Sequence, residues 1–344
     1  MQTSRVTAER TGTPFPVYEN LADTLLAAHD ASTGASTGRD STVAHVLATC
    51  AGYAYADAGT LATMMARLGL EANACVQLTQ VVDAMYIYST ANLVQSCCGR
   101  VVILSYRGTE LASIGNWLGD LDSGSETLNL LADDAVETPR VHAGFHRNFR
   151  ATRWAVDQEL TAALQGRSLA EPDRKLEHPM QALFVTGHSL GAAMAVLFAL
   201  SLSERGANPA LDGWLRAVYT FGGPMAIGEP FPAKAAARVG ARLYRHVMPD
   251  DPVPTLPPAA WGRFAHFGHE YRYTEGQWQR SESAVTQLTR VGEIPKSLLA
   301  VLANEQRRAS LRYTAAAHGP HHYLATLRPA GRVTEFGDYA AGGA

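Results

Sequence analysis

The hydrophobic pattern changes period several times along the chain, and each change marks an element. From Val43 to Leu70 apolar residues recur at helical spacing in two blocks, the second carrying Leu61, Met64, Met65 and Leu68. Residues 76–106 switch to strand-like composition: VVDAMYIYST and VVILSYRGT are rich in β-branched and aromatic residues and flank a turn containing Cys98-Gly99, which predicts paired or successive strands. Between Gly144 and Leu164 the helical period returns and places Phe145, Phe149, Trp154, Leu160 and Leu164 on one long helix. An apolar strand, Ala182 to Thr186, follows, with a small-residue helix behind it. Then come a strand candidate RAVYTFGGP, a polar helix, the strand candidate ARLYRHV, and FAHFGHEYRYTE, which alternates like one more strand. This β, α, β, α order predicts an α/β fold with a mostly parallel central sheet, helices on both faces, and a ligand site at the carboxyl ends of the strands.

Residues 1–40 read as an N-terminal arm, with a short helix across Leu21 to His29 and a closing Ser/Thr/Gly stretch. One catalytic domain over 41–330 and a tail over 331–344 complete the expected organisation. At 344 residues and 47% hydrophobic content the chain can fill the core of such a domain. No period of 20 to 50 residues repeats, so solenoids and propellers are excluded. Net charge is −3 without long runs of like charge, which argues against a nucleic-acid partner.

The longest nearly apolar run, Gly191 to Leu202, is shorter than the ~18 residues of a membrane span, so no transmembrane segment is expected. MQTSRVTAERTGTPFPVYEN lacks the apolar centre of a signal peptide, and the expected location is the cytoplasm, or export without a Sec signal. The four cysteines, Cys50, Cys75, Cys97 and Cys98, show no CxxC spacing and read as free thiols rather than as metal ligands or disulfide partners.

Candidate chemistry centres on QALFVTGHSLGAAMAVLFAL. The apolar run breaks at Gly187-His188-Ser189-Leu190-Gly191, a pattern of a sharp strand-to-helix turn that lifts a serine hydroxyl out of the backbone. Glycine two positions either side removes side chains that would collide there. Gly34-Ala35-Ser36-Thr37-Gly38 fits the same five letters but has no apolar strand before it. A serine hydroxyl needs a histidine to take its proton and a carboxylate to orient that histidine. In an α/β-hydrolase these follow in the order Ser, acid, His. Of the aspartates after Ser189, Asp212 precedes its strand and Asp338 lies beyond every histidine, which leaves Asp250 and Asp251. Asp251 is preferred because Pro252-Val253-Pro254 stiffens the turn behind it. Glu229 and Glu270 are worse placed. Among His266, His269, His318, His321 and His322, the first two sit in strand-like sequence, whereas His318 precedes Gly319-Pro320 in a predicted loop, with His322 as its rival. Oxyanion donors are expected from the backbone of Leu190 and from Arg107-Gly108-Thr109, which closes the strand VVILSY.

Taken together, these motifs resemble the class 3 lipases, a family of α/β-hydrolases. Tyr106-Arg107-Gly108-Thr109 is similar to the family's oxyanion segment, and Asn116-Trp117-Leu118-Gly119-Asp120-Leu121 to the stretch after it. Val141-His142-Ala143-Gly144-Phe145, Thr186 to Ala192, Tyr219 to Pro224, Asp251 to Pro254 with Leu256 to Pro258, and His318 with Tyr323-Leu324 resemble further family segments in the same order. The resemblance implies an α/β-hydrolase fold with a lid segment, a Ser189, Asp251, His318 triad, and Thr109 with Leu190 as oxyanion donors. It raises His318 above His322 and gives His266 a place after the acid loop. ELASIGNWLGDLDSGSETLNLLADDAVETPR departs from the family by its length and acidity.

The activity expected is hydrolysis of carboxylic esters through an acyl-enzyme. Triacylglycerol is the leading substrate, with phospholipase A1 or small-ester and feruloyl-type esterase activity as the alternative. No metal or organic cofactor is implied. Partners are a lipid or ester substrate and, transiently, a lipid surface, met by a lid on which Leu111, Ile114, Trp117 and Leu118 form one apolar face; the bland alternative is that these four pack on the core.

Overall fold

The structure is a computed structural model that describes residues 1–30, 38–109, 125–127, 140–202, 208–231, 233–288 and 317–339. Its strands are β1 (Gln2–Thr7), β2 (Ala74–Val82), β3 (Ile87–Gln95), β4 (Val101–Tyr106), β5 (Ser125–Thr127), β6 (Arg140–His142), β7 (Ala182–His188), β8 (Leu215–Phe221), β9 (Ile227–Gly228), β10 (Leu243–Val247), β11 (Phe264–Ala265), β12 (His269–Thr274) and β13 (Gln277–Ser281). Nine of them form one sheet in the order β1-β2-β3-β4-β7-β8-β10-β12-β13. The middle run β4-β7-β8-β10-β12 is parallel, and antiparallel strands extend it on both sides. A small antiparallel sheet, β11-β9-β6-β5, stands apart.

Central parallel strands are covered on both faces and therefore read as unbroken apolar runs. β7 is the extreme case, with all seven residues buried. On one face the helices Ala143–Leu164 and Leu190–Ser201 pack Phe145, Phe149, Val156, Leu160, Met194 and Phe198 against Leu93, Leu104 and Val185. On the other, helices Leu21–Ala27, Ser41–Tyr53, Ala58–Leu68 and Pro320–Leu327 pack against Val94, Ile103, Phe184 and Tyr219. Asp40 and Asp57 start two of these helices by accepting from the N–H groups of Val43 and Thr60, the usual remedy for orphan first-turn donors. The helix Leu190–Ser201 is buried all round, as a helix lacking any polar face must be. No helix among the described residues is long and apolar enough to cross a membrane.

Several expectations are refined here. VVDAMYIYST is not one strand: the turn Asp83–Met85 divides it, so that β2 and β3 form a hairpin with Val81 opposite Tyr88. Trp154 does lie on the long helix but is 72% exposed, because five residues after Phe149 it has rotated off the buried stripe. Residues 1–40, read as an arm, supply β1, which pairs along the whole of β2's first half, and Arg5 forms an ion pair with Glu159. The tail also packs: Glu335 is buried, accepts from the Tyr53 hydroxyl, and its carbonyl accepts from Arg67. Cys50 and Cys75 are buried thiols, Cys98 is half-buried and Cys97 exposed. Burial pushes the Cys50 thiol up to about 12, which keeps it protonated and inert.

Candidate active site

At the carboxyl end of β7 the chain turns into the helix Leu190–Ser201 through Ser189, whose φ of 58° and ψ of −128° belong to a region that side-chain-bearing residues rarely occupy. Neighbouring glycines make that turn possible. A Cβ on Gly187 would lie 2.3 Å from the Gly191 backbone, and one on Gly191 would lie 2.1 Å from the Tyr106 carbonyl oxygen. Both distances are impossible for real atoms, so the elbow requires glycine at the two positions for reasons of space alone.

The turn is also tied to the next strand, since Ser189 N–H donates to the Phe221 carbonyl at 3.0 Å. Leu190 opens the helix, where first-turn N–H groups have no intrahelical partner and the helix dipole favours negative charge. Gly108, one residue before Thr109, packs directly on Ser189: a Cβ there would sit 3.0 Å from Ser189 Cβ. Half-buried Thr109 follows Gly108, three residues beyond the end of β4.

Asp251 and His318 meet on the far side of β8. His318 Nδ1 lies 2.8 Å from Asp251 Oδ2 and 3.0 Å from Oδ1, and both residues are buried. The carboxylate is fully engaged: Oδ1 also accepts from Val253 N–H at 2.9 Å, and Oδ2 from the Tyr323 hydroxyl at 2.6 Å. Burial first, then the Asp251 charge, push the Tyr323 phenol well above its ordinary range, so it stays a donor. Because a carboxylate only accepts, Nδ1 of His318 carries the proton, and Nε2 is the basic nitrogen of the neutral ring. Among the described residues no hydrogen bond reaches that Nε2, from Ser189 or from any other group.

Two consecutive residues join these halves. Phe221 anchors the elbow, and Gly222 is the floor under the acid and histidine: a Cβ on it would lie 2.6 Å from Asp251 Oδ2 and 3.1 Å from His318 Nδ1. The rings of His188 and His318 lie 4.6 Å apart, which brings His318 against the residue preceding Ser189.

The other sequence candidates fall away on position. Asp250 is exposed, while Asp251 turns inward. Glu229 pairs with Arg263 at the surface, and Glu270 is buried between Arg245 and Arg272. His322 lies half-buried on the first turn of the helix Pro320–Leu327, with its ring against His321. His266 is tied to the acid loop, its Nε2 lying 2.8 Å from the Pro254 carbonyl oxygen. The loop expected to carry His318 narrows to Gly319, the N-cap of that helix. Leu111, Ile114, Trp117 and Leu118, expected on a lid, lie outside the described residues, as does most of the second serine motif at 34–38.

Three residues around the site escaped the sequence reading of the reaction. Tyr323 figured there only as part of a family segment, yet it holds the acid. Tyr55 and His188, which contact each other, carried no signal beyond His188 occupying a free position of the serine motif.

The family model for class 3 lipases matches residues 103–261. This chain is 34% identical over 190 residues to a lipase of Rhizomucor miehei, a match covering 55% of this chain and 46% of that protein. It is 31% identical over 170 residues to the secreted mono- and diacylglycerol lipase 1 of Fusarium solani, covering 49% of this chain and 43% of that protein. The chain thus spans about half the length of these curated relatives. The solved structure of the native Rhizomucor miehei lipase propeptide complex is similar with a TM-score of 0.50 at 24% identity, over 71% of this chain and 73% of that one, which shows a shared fold. Residues 103–261, which run from β4 through the turn at Ser189 to just past Asp251, are thus similar to the class 3 lipases, and the chain has the α/β-hydrolase fold.

Proposed function

We propose that the protein is a serine carboxylic-ester hydrolase of lipase type. The observation that carries this reading is the buried Asp251–His318 pair, which leaves the basic Nε2 of His318 without a partner next to the strained serine elbow. Ser189 Oγ attacks the ester carbonyl while His318 Nε2 takes its proton, and Asp251 stabilises the imidazolium that forms. The N–H groups of Thr109 and Leu190 receive the oxyanion of the tetrahedral intermediate. As that intermediate collapses, His318 returns the proton to the departing alcohol. Water, deprotonated by the same nitrogen, then releases the acid from the acyl-enzyme. In this structure Ser189 Oγ and His318 Nε2 are not bonded; the bond forms as substrate seats, a tightening common to hydrolases of this kind.

Acylglycerols are the proposed substrates, supported by the names of the relatives, a lipase and a secreted mono- and diacylglycerol lipase. A fluorophosphonate probe tests the nucleophile: covalent labelling mapped to Ser189, and lost in Ser189→Ala, is expected. An unlabelled wild-type protein sinks the reading. Product analysis across tri-, di- and monoacylglycerols, phospholipids and p-nitrophenyl esters tests the substrate class. Turnover confined to acetyl or aryl esters replaces lipase with esterase, and release of fatty acid from phospholipid alone replaces it with phospholipase A1.

A further inference from the structure

Three parts of the site that are remote in sequence, the Gly108 turn, the elbow and the main chain at His318, converge on two side chains that the proposed reaction does not use. Tyr55 follows the helix Ser41–Tyr53, and its hydroxyl lies 2.8 Å from His188 Nδ1. On the other side of the same ring, His188 Nε2 lies 2.7 Å from the carbonyl oxygen of His318. A carbonyl only accepts, so Nε2 must carry the proton and donate. In a neutral imidazole Nδ1 is then the acceptor, and the Tyr55 hydroxyl donates to it. The His318 carbonyl thus dictates one tautomer, which the Tyr55 donation matches. Burial, followed by the charge of His318, holds the His188 pKa well below its ordinary value, so the ring remains neutral.

Tyr55 has no slack at its own end. A Cβ on Gly108 would lie 2.2 Å from the Tyr55 hydroxyl and 2.5 Å from the His188 carbonyl, so the phenol is wedged between the oxyanion turn and the elbow. Its ring meets that of His188 edge-on at 5.9 Å, and the Arg107 guanidinium sits 5.8 Å over it.

We infer that Tyr55 and His188 are positioning residues for the proposed hydrolysis: the His318 carbonyl sets the tautomer of His188, the Tyr55 hydroxyl holds the ring in place by donating to its Nδ1, and the His188 N–H pins the main chain of His318 to the elbow. The physical need is clear from what Asp251 alone can do. A carboxylate gripping Nδ1 leaves the ring free to pivot about that contact, so the height of Nε2 over the serine stays undetermined. A second anchor at the carbonyl of the same residue removes the pivot, and it is supplied by the residue adjacent to the nucleophile, which ties the two reacting atoms to one frame. A misplacement near 1 Å costs about 100-fold in rate.

This inference rests on the hydrolase reading above, and the experiment separates the two. Wild type, Tyr55→Phe, His188→Phe and His188→Asn are compared in kcat and KM on a soluble ester, p-nitrophenyl butyrate, with thermal melting alongside. Tyr55→Phe keeps the ring and loses only the hydroxyl; kcat falls about five- to tenfold, the scale of one lost hydrogen bond, with KM and melting temperature nearly unchanged. His188→Phe, which has no donor, falls by about 100-fold, and His188→Asn, whose amide again offers an N–H, recovers part of that loss. Histidine ¹⁵N shifts report the tautomer directly: His188 is protonated on Nε2 in the wild type and stays so in Tyr55→Phe, where only the Nδ1 shift moves as its hydrogen bond is lost. An active wild type whose Tyr55→Phe and His188→Asn variants keep full kcat overturns the inference, as does a His188 found protonated on Nδ1. A wild type that fails to react with the fluorophosphonate overturns the hydrolase reading instead, and the tautomer measurement still decides the geometry claimed for Tyr55 and His188.

Discussion

Around Ser189 the geometry is set by exclusion: Gly187 and Gly191 are two residues away on either side, and any side chain on them strikes backbone. Around Asp251 and His318, 67 residues apart, it is set by attraction, through hydrogen bonds from Val253, Tyr323 and His318 that converge on one carboxylate. Sterics of this kind are all-or-none and local. Hydrogen-bonded convergence is graded, and each contact removed should cost its own increment. The two halves of one site are therefore expected to fail in different ways.

The largest effect belongs to Ser189, the proposed nucleophile. Ser189→Ala is expected to lower ester turnover roughly 10⁴-fold or more while the protein still folds. Ser189→Gly should be equally inactive yet more stable by about 1 kcal/mol, because glycine relaxes the positive φ. A melting temperature for Ser189→Gly below that of wild type contradicts the strain assigned to the elbow. Next comes Asp251→Asn, which keeps the shape of the acid but no longer fixes the His318 tautomer; kcat should drop about 10³- to 10⁴-fold with KM little changed. Retention of more than a tenth of wild-type kcat rules out its assigned role.

Gly191→Ala probes the steric half. With its Cβ 2.1 Å from the Tyr106 oxygen, it is expected to destabilise by about 3 kcal/mol, read as a shift in the denaturation midpoint, and to lose activity with it. Tyr323→Phe probes the graded half and should reduce kcat only about tenfold, since Val253 and His318 still hold Asp251. If Tyr323→Phe proves as damaging as Asp251→Asn, the convergence is all-or-none after all.

The smallest effect concerns stability and pH. Burial, with a lesser contribution from the Arg328 charge, lowers His45 to about 3, and its Nδ1 lies 2.8 Å from the Tyr18 hydroxyl. Since the folded value lies below the unfolded one near 6.5, the unfolded chain binds the extra proton between these limits. Stability is then full above about pH 6.5 and declines as pH falls toward 3, by about 1.4 kcal/mol per unit for each such histidine. His45→Gln should flatten this decline in urea titrations between pH 6.5 and 5; an unaltered slope assigns the decline to other groups.

Several of these features were readable before any coordinates. The elbow follows from five letters behind an apolar run, Asp251 from the proline-stiffened turn after it, and the expected layering from alternating periods. Each rests on constraints acting between residues close in sequence. Other features had no such trace. Nothing local marks Gln2–Thr7 as the edge of the main sheet, since edge pairing depends on whether β2 has a free side. The exposure of Trp154 depends on which arc of its helix meets the sheet. Tyr55 looks like any tyrosine after a helix until Gly108 and His188 close around its hydroxyl.

Backbone sterics and hydrophobic period are properties of short stretches of chain, so the amino-acid order alone dictated a parallel-centred α/β sheet, a serine on a forced turn, and a short list of acids and histidines able to serve it. Selection within that list, and recruitment of Tyr55, His188 and Tyr323 around it, came only with folding. Hydrogen bonds act over about 3 Å, and only packed strands bring groups separated by more than a hundred residues to that distance.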